Sequence, residues 1–257
     1  MGSSVNADND AVRLGSFQYL MASVPNSLHR NGRVLTRRDK DGSDAGREGI
    51  DLEARCMSVQ DARRRESTAR CTLIQNGFEL SARPLSGKSI DFLNQEQVVR
   101  TYYSQCAEIV RETTGARFVA AFDHNIRSAA GKESKRRIQG GQQVQGPAHL
   151  VHGDYTLTSA PQRLRDLTKV PGANDTFHSL LPDGESLLDA AEVEHVLAGG
   201  RFAIINVWRN ITEDPVQTSP LALCDAASVR PENLVVFEIH YHDRIGENYF
   251  AKHADYH

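Results

Sequence analysis

The stretch Val151-His152-Gly153-Asp154-Tyr155-Thr156 decides how the rest of the chain is read. It lies inside a longer run, AHLVHGDYTLTS (148–159), that has the composition of a β-strand. Side chains alternate across a strand, so His152 and Asp154 leave the same face. An imidazole and a carboxylate two residues apart can occupy two adjacent positions on one metal ion. With a distal histidine they form the two-histidine, one-carboxylate facial triad of non-haem iron oxygenases, which leaves coordination positions open. Alone, the pair is a weak signal: the chain has 10 histidines, and chance pairs at this spacing are more often surface residues than ligands. Tyr155 and Thr156 continue the strand and offer bulk and a hydroxyl beside the pair, or ordinary β packing.

Upstream of this stretch, residues 1–70 read as an irregular N-terminal arm, rich in Arg, Asp, Gly and Ser from 24 onward, with any element short. The Arg63–Glu66 run is a solvated face before it is a binding patch. Order improves from Cys71, where CTLIQ and ELSARPL flank Asn76-Gly77, a hairpin dipeptide. Asn94 is positioned as a helix N-cap. Val98, Val99, Tyr102, Cys106, Ile109 and Val110 then follow at helical spacing, and Gly115 stops the helix. Residues 117–127 (RFVAAFDHNIR) predict a strand, and the polar, Gly/Gln-rich 128–146 a loop. Downstream, 187–198 predict a short helix, and 201–211 (RFAIINVWRNI) and 233–242 (NLVVFEIHYH) predict strands. The sum is a mainly β core with flanking helices.

Composition sets outer bounds. The chain has 257 residues, 39% hydrophobic and 25% charged, with a formal net charge of −3. That balance is globular and offers no global field for nucleic acid or an anionic membrane. The basic SKRR in 134–137 has no aromatic platform beside it, so a nucleic-acid role is disfavoured. No apolar run nears the ~20 residues that span a bilayer, and no secretory signal is evident. Cys56, Cys71, Cys106 and Cys224 lack metal-binding spacing and read as reduced thiols of a cytoplasmic protein.

Several blocks occur in a fixed order: YYSQCAEIVRETTGARFVAAFDHNIR, VHGDYTLTSAPQRLRDL, RFAIINVWRNI, PLALCDAASVRPENLV and HDRIGENY. In this order they resemble the AsaB-type hydroxylase/desaturase family, which includes gibberellin desaturase-like proteins and relatives of a cephalosporin methoxylase chain. The resemblance covers roughly 60–257. It implies a double-stranded β-helix of the jelly-roll or cupin-like kind, Fe(II) held by His152 and Asp154, and 2-oxoglutarate and O2 as co-substrates. It also implies hydroxylation or desaturation of a small molecule in secondary metabolism. Family chains carry further strands after the point reached at His257, and the distal ligand and the 2-oxoglutarate-binding Arg belong to those strands. On this reading 71–257 is an oxygenase domain lacking its last strands, and a homodimer is compatible with it.

Other residues compete for roles. Of the tail histidines His240, His242, His253 and His257, the first two alternate onto one strand face, so either could reach the metal; partly exposed edge positions are the plainer reading. His149 reads as structural. In FDHNIR, His124 could line a substrate pocket and Arg127 could clamp a carboxylate, since a guanidinium fork matches two oxygens; a salt bridge explains them equally well. Trp208 either walls a substrate pocket or fills the barrel, and Arg209 is the second candidate clamp for the oxo acid. Asp225 reads as a turn cap. Two rival functions remain: a catalytically inactive accessory or binding protein, and a metal-dependent hydrolase on a cupin-like barrel.

Overall fold

The computed structural model describes residues 12–25, 27, 34–38, 44–46, 50–64, 70–86, 89–240 and 244–256. His242, His257 and the end of the Arg63–Glu66 run lie outside the described residues. The strands are β1 (Val12–Leu20), β2 (Val34–Arg38), β3 (Asp44–Gly46), β4 (Leu52–Gln60), β5 (His152–Gly153), β6 (Leu234–His240) and β7 (Ile245–Ala251). They form a two-stranded sheet, β1-β4, and a five-stranded sheet in the order β3-β2-β6-β7-β5. Among the described residues no helix is long and apolar enough to cross a membrane.

The 233–242 strand forms as expected. Every residue from Val235 to Ile239 is buried, because β6 is hydrogen-bonded on both sides, to β2 and β7. Its register with β7 pairs Val235 with Phe250. Phe237 and Phe250 meet edge to face at 5.1 Å, and with Leu20, Val24 and Val235 they make one core. Full burial of each such side chain is worth about 1.5–3 kcal/mol.

Among the described residues of 1–70, two strands are long and paired with each other. β1 and β4 pair antiparallel from Val12↔Gln60 to Leu20↔Leu52, and Leu20 lies in the core against β6. Moreover, Gln18 N–H donates to the His149 carbonyl, and Val151 N–H to the Gln18 carbonyl. The other side of this segment joins β7, where His152 pairs with Phe250. The segment entering the His152 motif is therefore held between β1 and β7.

Four sequence expectations are corrected here. Asn76-Gly77 does not turn a hairpin: it ends a one-turn helix, α1 (Leu73–Asn76), whose N-cap is Thr72. Gly77 takes φ +79°, the left-handed conformation that serves a helix C-cap as readily as a hairpin turn. Residues 117–126 and 201–211 are not in ladders, although Arg127 bridges to Gln145. Strand composition describes fit to a pleated, half-buried surface, not whether a neighbouring strand is present. The 148–159 strand shrinks to β5, with a bridge at Leu150, and Ser159 already begins a helix.

The helices follow their end signals. Asn94 caps α2 (Gln95–Gln97) by accepting from Gln97 N–H, a π turn covers Val98–Tyr102, and α3 (Tyr103–Thr114) ends at Gly115 with φ +68°. The π turn adds a residue to the period. Val98 and Tyr103 are thus the buried pair, with Ile90, while Tyr102 is only partly buried. Then come α4 (Ala129–Glu133), α5 (Ser159–Asp166) and α6 (Ala190–Gly199), the last capped by Asp189. None of the four cysteines is in a disulfide. Asp225 caps a turn as read, accepting from Ala227 N–H.

Candidate metal centre

His152 sits in β5 and Asp154 one residue past its end. Their side chains meet: Nε2 of His152 lies 3.4 Å from Oδ1 of Asp154. The side chains keep 26% and 45% of their surface exposed, so an ion can reach them from outside.

The partners of each group fix which atoms face inward. Nδ1 of His152 lies 2.7 Å from the Leu150 carbonyl. A carbonyl only accepts, so Nδ1 carries a proton and donates it. In the neutral ring Nε2 is then a lone pair, the form in which an imidazole ligates metal. On Asp154, Oδ2 accepts from the Asn206 side-chain amide at 2.6 Å, leaving Oδ1 toward His152. Two acceptor atoms facing each other at 3.4 Å repel unless a cation lies between them. That cation is either a proton, giving an imidazolium, or a metal ion. The same geometry sets the titration of both groups. Asp154 raises the His152 imidazole above its ordinary value, against the opposing effect of burial. His152 in turn holds the Asp154 carboxyl below the carboxylate range, with Asn206 assisting against burial.

The turn after Asp154 is tied by side-chain hydrogen bonds. Thr156, buried, donates through its hydroxyl to buried Glu247 at 3.0 Å and accepts from the N–H groups of Thr158 and Ser159. The Ser159 hydroxyl donates to the Glu247 carbonyl. This ties the start of α5 to β7.

The remaining sequence candidates fall in separate places. Arg127 is exposed and donates to the Gly146 carbonyl at 3.0 Å; its charge is felt by both His152 and Asp154. Arg209 donates to the Tyr102 hydroxyl and to the Arg83 carbonyl. Nδ1 of His124 lies 2.8 Å from the buried Tyr103 hydroxyl, and burial pushes the His124 imidazole down. His124 also lines a cavity of about 140 Å³ with Gln95, Asn125 and Ile126. Tyr155 meets Phe122 edge-on. Trp208 is 48% exposed, so it does not fill the interior. His240 faces Glu238 at 2.8 Å, and His253 packs edge-on against Tyr19. Among the described residues, no third His, Cys, Asp or Glu joins the pair in a metal-holding group.

Sequence reasoning missed Asn206, Tyr103 and the Thr156–Glu247 contact. The asparagine stood inside an apolar run, INVW, where a lone amide is a signal that a buried or site-facing acceptor needs it.

Comparison with known proteins places the chain. The family model described as oxidoreductase/YMDC permease-like domain matches residues 25–257. The chain belongs to that family. Within the oxidoreductase/YMDC permease-like domain family, it is 42% identical over 194 residues to a Methylophilus leisingeri protein described as an uncharacterized protein in the dcmA 3' region. That match covers 75% of this chain and 88% of the other. It is 32% identical over 181 residues to oxidoreductase AN1597 of Emericella nidulans, covering 70% and 52% of the two chains. It is 30% identical over 190 residues to the alpha-ketoglutarate-dependent dioxygenase phiK of a fungal species, covering 74% and 57%. Relatives named hydroxylase/desaturase also match. The chain thus spans about half the length of these fungal relatives. Among solved structures, iron and alpha-ketoglutarate-dependent endoperoxidase NvfI aligns with TM-score 0.59 at 15% identity, over 96% of this chain and 77% of that one. The fold is that of the iron and 2-oxoglutarate oxygenases, the double-stranded β-helix that the resemblance implied.

Proposed function

We propose that Nε2 of His152 and Oδ1 of Asp154 hold one Fe(II), and that the chain serves a 2-oxoglutarate- and O2-dependent oxidation of a small organic molecule. The observation that carries this is the pair of acceptor atoms 3.4 Å apart, with the imidazole tautomer set by the Leu150 carbonyl. Bound there, the iron would supply oxidising power that no protein side chain has. The chain's own residues supply the rest. Leu150 orients the imidazole, Asn206 occupies the outer carboxylate oxygen, and the Thr156–Glu247 contact fixes the turn between the two elements. Arg127 is the cation whose charge reaches the pair, and it is assigned to a carboxylate of 2-oxoglutarate. Arg209, engaged by Tyr102 and Arg83, ties 201–211 to the helical side instead. Tyr155, Trp208 and His124 are assigned to the organic substrate. The division of the chain near residue 70 belongs to the same proposal, with 71–257 as the part that carries the site. The names of the relatives support the reaction class; hydroxylation and desaturation are both consistent with it.

The rival reading is a catalytically inactive accessory or binding protein. Incubation with Fe(II) and labelled 2-oxoglutarate, with and without O2, separates the readings. Succinate formed only with O2 supports the oxidation. Neither stoichiometric iron nor succinate supports the accessory or binding protein, and iron bound without succinate overturns the oxidation while leaving the metal site. Turnover without O2 on Zn(II) would overturn both in favour of a hydrolase.

A further inference from the structure

We infer that Asn206 is a positioning residue that makes Asp154 a one-oxygen ligand. This rests on the metal reading above and extends it to a residue outside the His152–Asp154 motif. A carboxylate at the mouth of a site can turn about its terminal bond and offer either oxygen or both. Here the Asn206 amide donates to Oδ2 at 2.6 Å, so Oδ1 alone is presented toward Nε2 of His152. An asparagine suits this role, because its NH2 donates and cannot itself take the metal as a carboxylate would. His152 is oriented by the same logic through the Leu150 carbonyl. Each of the two ligands therefore has one outward atom bound by protein and one inward atom left for the ion. That is the arrangement in which partners behind the ligands tune affinity.

The anchor comes from an unusual place. Residues 201–211 form no ladder, and Asn206 itself is exposed. The segment is fastened at two points, by Asn206 to Asp154 and by Arg209 to Tyr102 and Arg83. Exposed Asn206 packs into no core, and the Arg209 contacts to Tyr102 and Arg83 still fasten the segment without it.

The test is equilibrium titration with Fe(II) under argon, repeated with Co(II) followed by its visible absorption, on wild type, Asn206→Ala, Asn206→Asp and His152→Ala. Removing a partner behind a ligand weakens metal binding by about 10–100-fold. We expect that loss in Asn206→Ala, and a changed Co(II) spectrum, while the unfolding midpoint of the metal-free protein stays at the wild-type value. Asn206→Asp keeps the shape but replaces the donor with a carboxylate that can itself take the metal, so it should lose the wild-type Co(II) spectrum. If Asn206→Ala binds both metals as wild type does while His152→Ala binds neither, the positioning role is wrong and the metal site stands. If His152→Ala also binds as wild type does, the metal reading itself falls and takes this inference with it.

Discussion

Asp175→Ala should remove much of the protein's stability. Asp175 Oδ1 accepts from Arg163 at 2.7 Å, with 16% and 7% of the two side chains exposed. Arg163 projects from α5, the helix that begins right after the Thr156 turn. Its Nε is buried without a hydrogen-bond partner among the described residues, and its guanidinium lies over the Phe122 ring. Truncating the acid strands that guanidinium, and removing one partner of a buried pair costs about 3–5 kcal/mol. The Gly172 N–H, which donates to Asp175 Oδ2 at 2.8 Å, loses its acceptor too, adding about 1 kcal/mol. Urea unfolding at pH 7 should show a loss of about 4–6 kcal/mol by these two contributions. The pH dependence has a definite sign. Burial would push the Asp175 carboxyl up, but the charge and hydrogen bond of Arg163, with Gly172 and Arg244, outweigh it and hold the carboxyl below its ordinary range. The folded state therefore binds this proton less readily than the unfolded chain. The pair's contribution is complete above the unfolded value of about 3.9 and is lost as pH falls through the lower folded value. The gap between wild type and Asp175→Ala should narrow only in that acid window. A loss under about 1 kcal/mol at pH 7 would refute the buried-pair reasoning, since that is the range of an exposed pair.

Three further outcomes follow from the packing. Phe237→Ala opens a cavity in the β6–β7 core and should cost about 3–5 kcal/mol in urea unfolding; a cost near zero would show that the Phe237–Phe250 contact does not organise the sheet. Asn94→Ala removes the cap on α2 and should cost about 0.5–2 kcal/mol, read by the same assay, with Asn94→Asp retaining most of the stability. Tyr103→Phe removes the buried hydroxyl that pairs with half-buried His124 and should cost about 1–3 kcal/mol; amide exchange should rise in 117–126 before the β6–β7 ladder opens.

The legible parts of the chain were those whose physics is local. The Asn94 cap, the Gly115 stop and the periodicity between them are set within one or two turns, and the helix formed there. His152 and Asp154 were paired on strand alternation; β5 ends at Gly153, yet their side chains still come within 3.4 Å of each other. What failed depended on distant chain. The π turn that buries Tyr103 in place of Tyr102 was invisible to a fixed 3.6 period. β1 and β4 were missed because their pairing joins residues far apart in sequence, from Leu20↔Leu52 to Val12↔Gln60, and β4 is largely exposed, without a clean apolar alternation. Gly77 was misassigned because a left-handed glycine ends a helix as well as it turns a hairpin. Asn206 could be seen as odd, but only the folded chain shows that Asp154 is what it serves.

The most direct test of the metal site is anaerobic Fe(II) binding by the wild-type chain, His152→Ala and Asp154→Ala, each followed by addition of 2-oxoglutarate. Wild type should take up one ferrous ion per chain and develop a visible charge-transfer band with the oxo acid, and both variants should lose the band and most of the uptake. Equal uptake and an equal band in all three proteins would contradict the assignment of these two side chains as ligands.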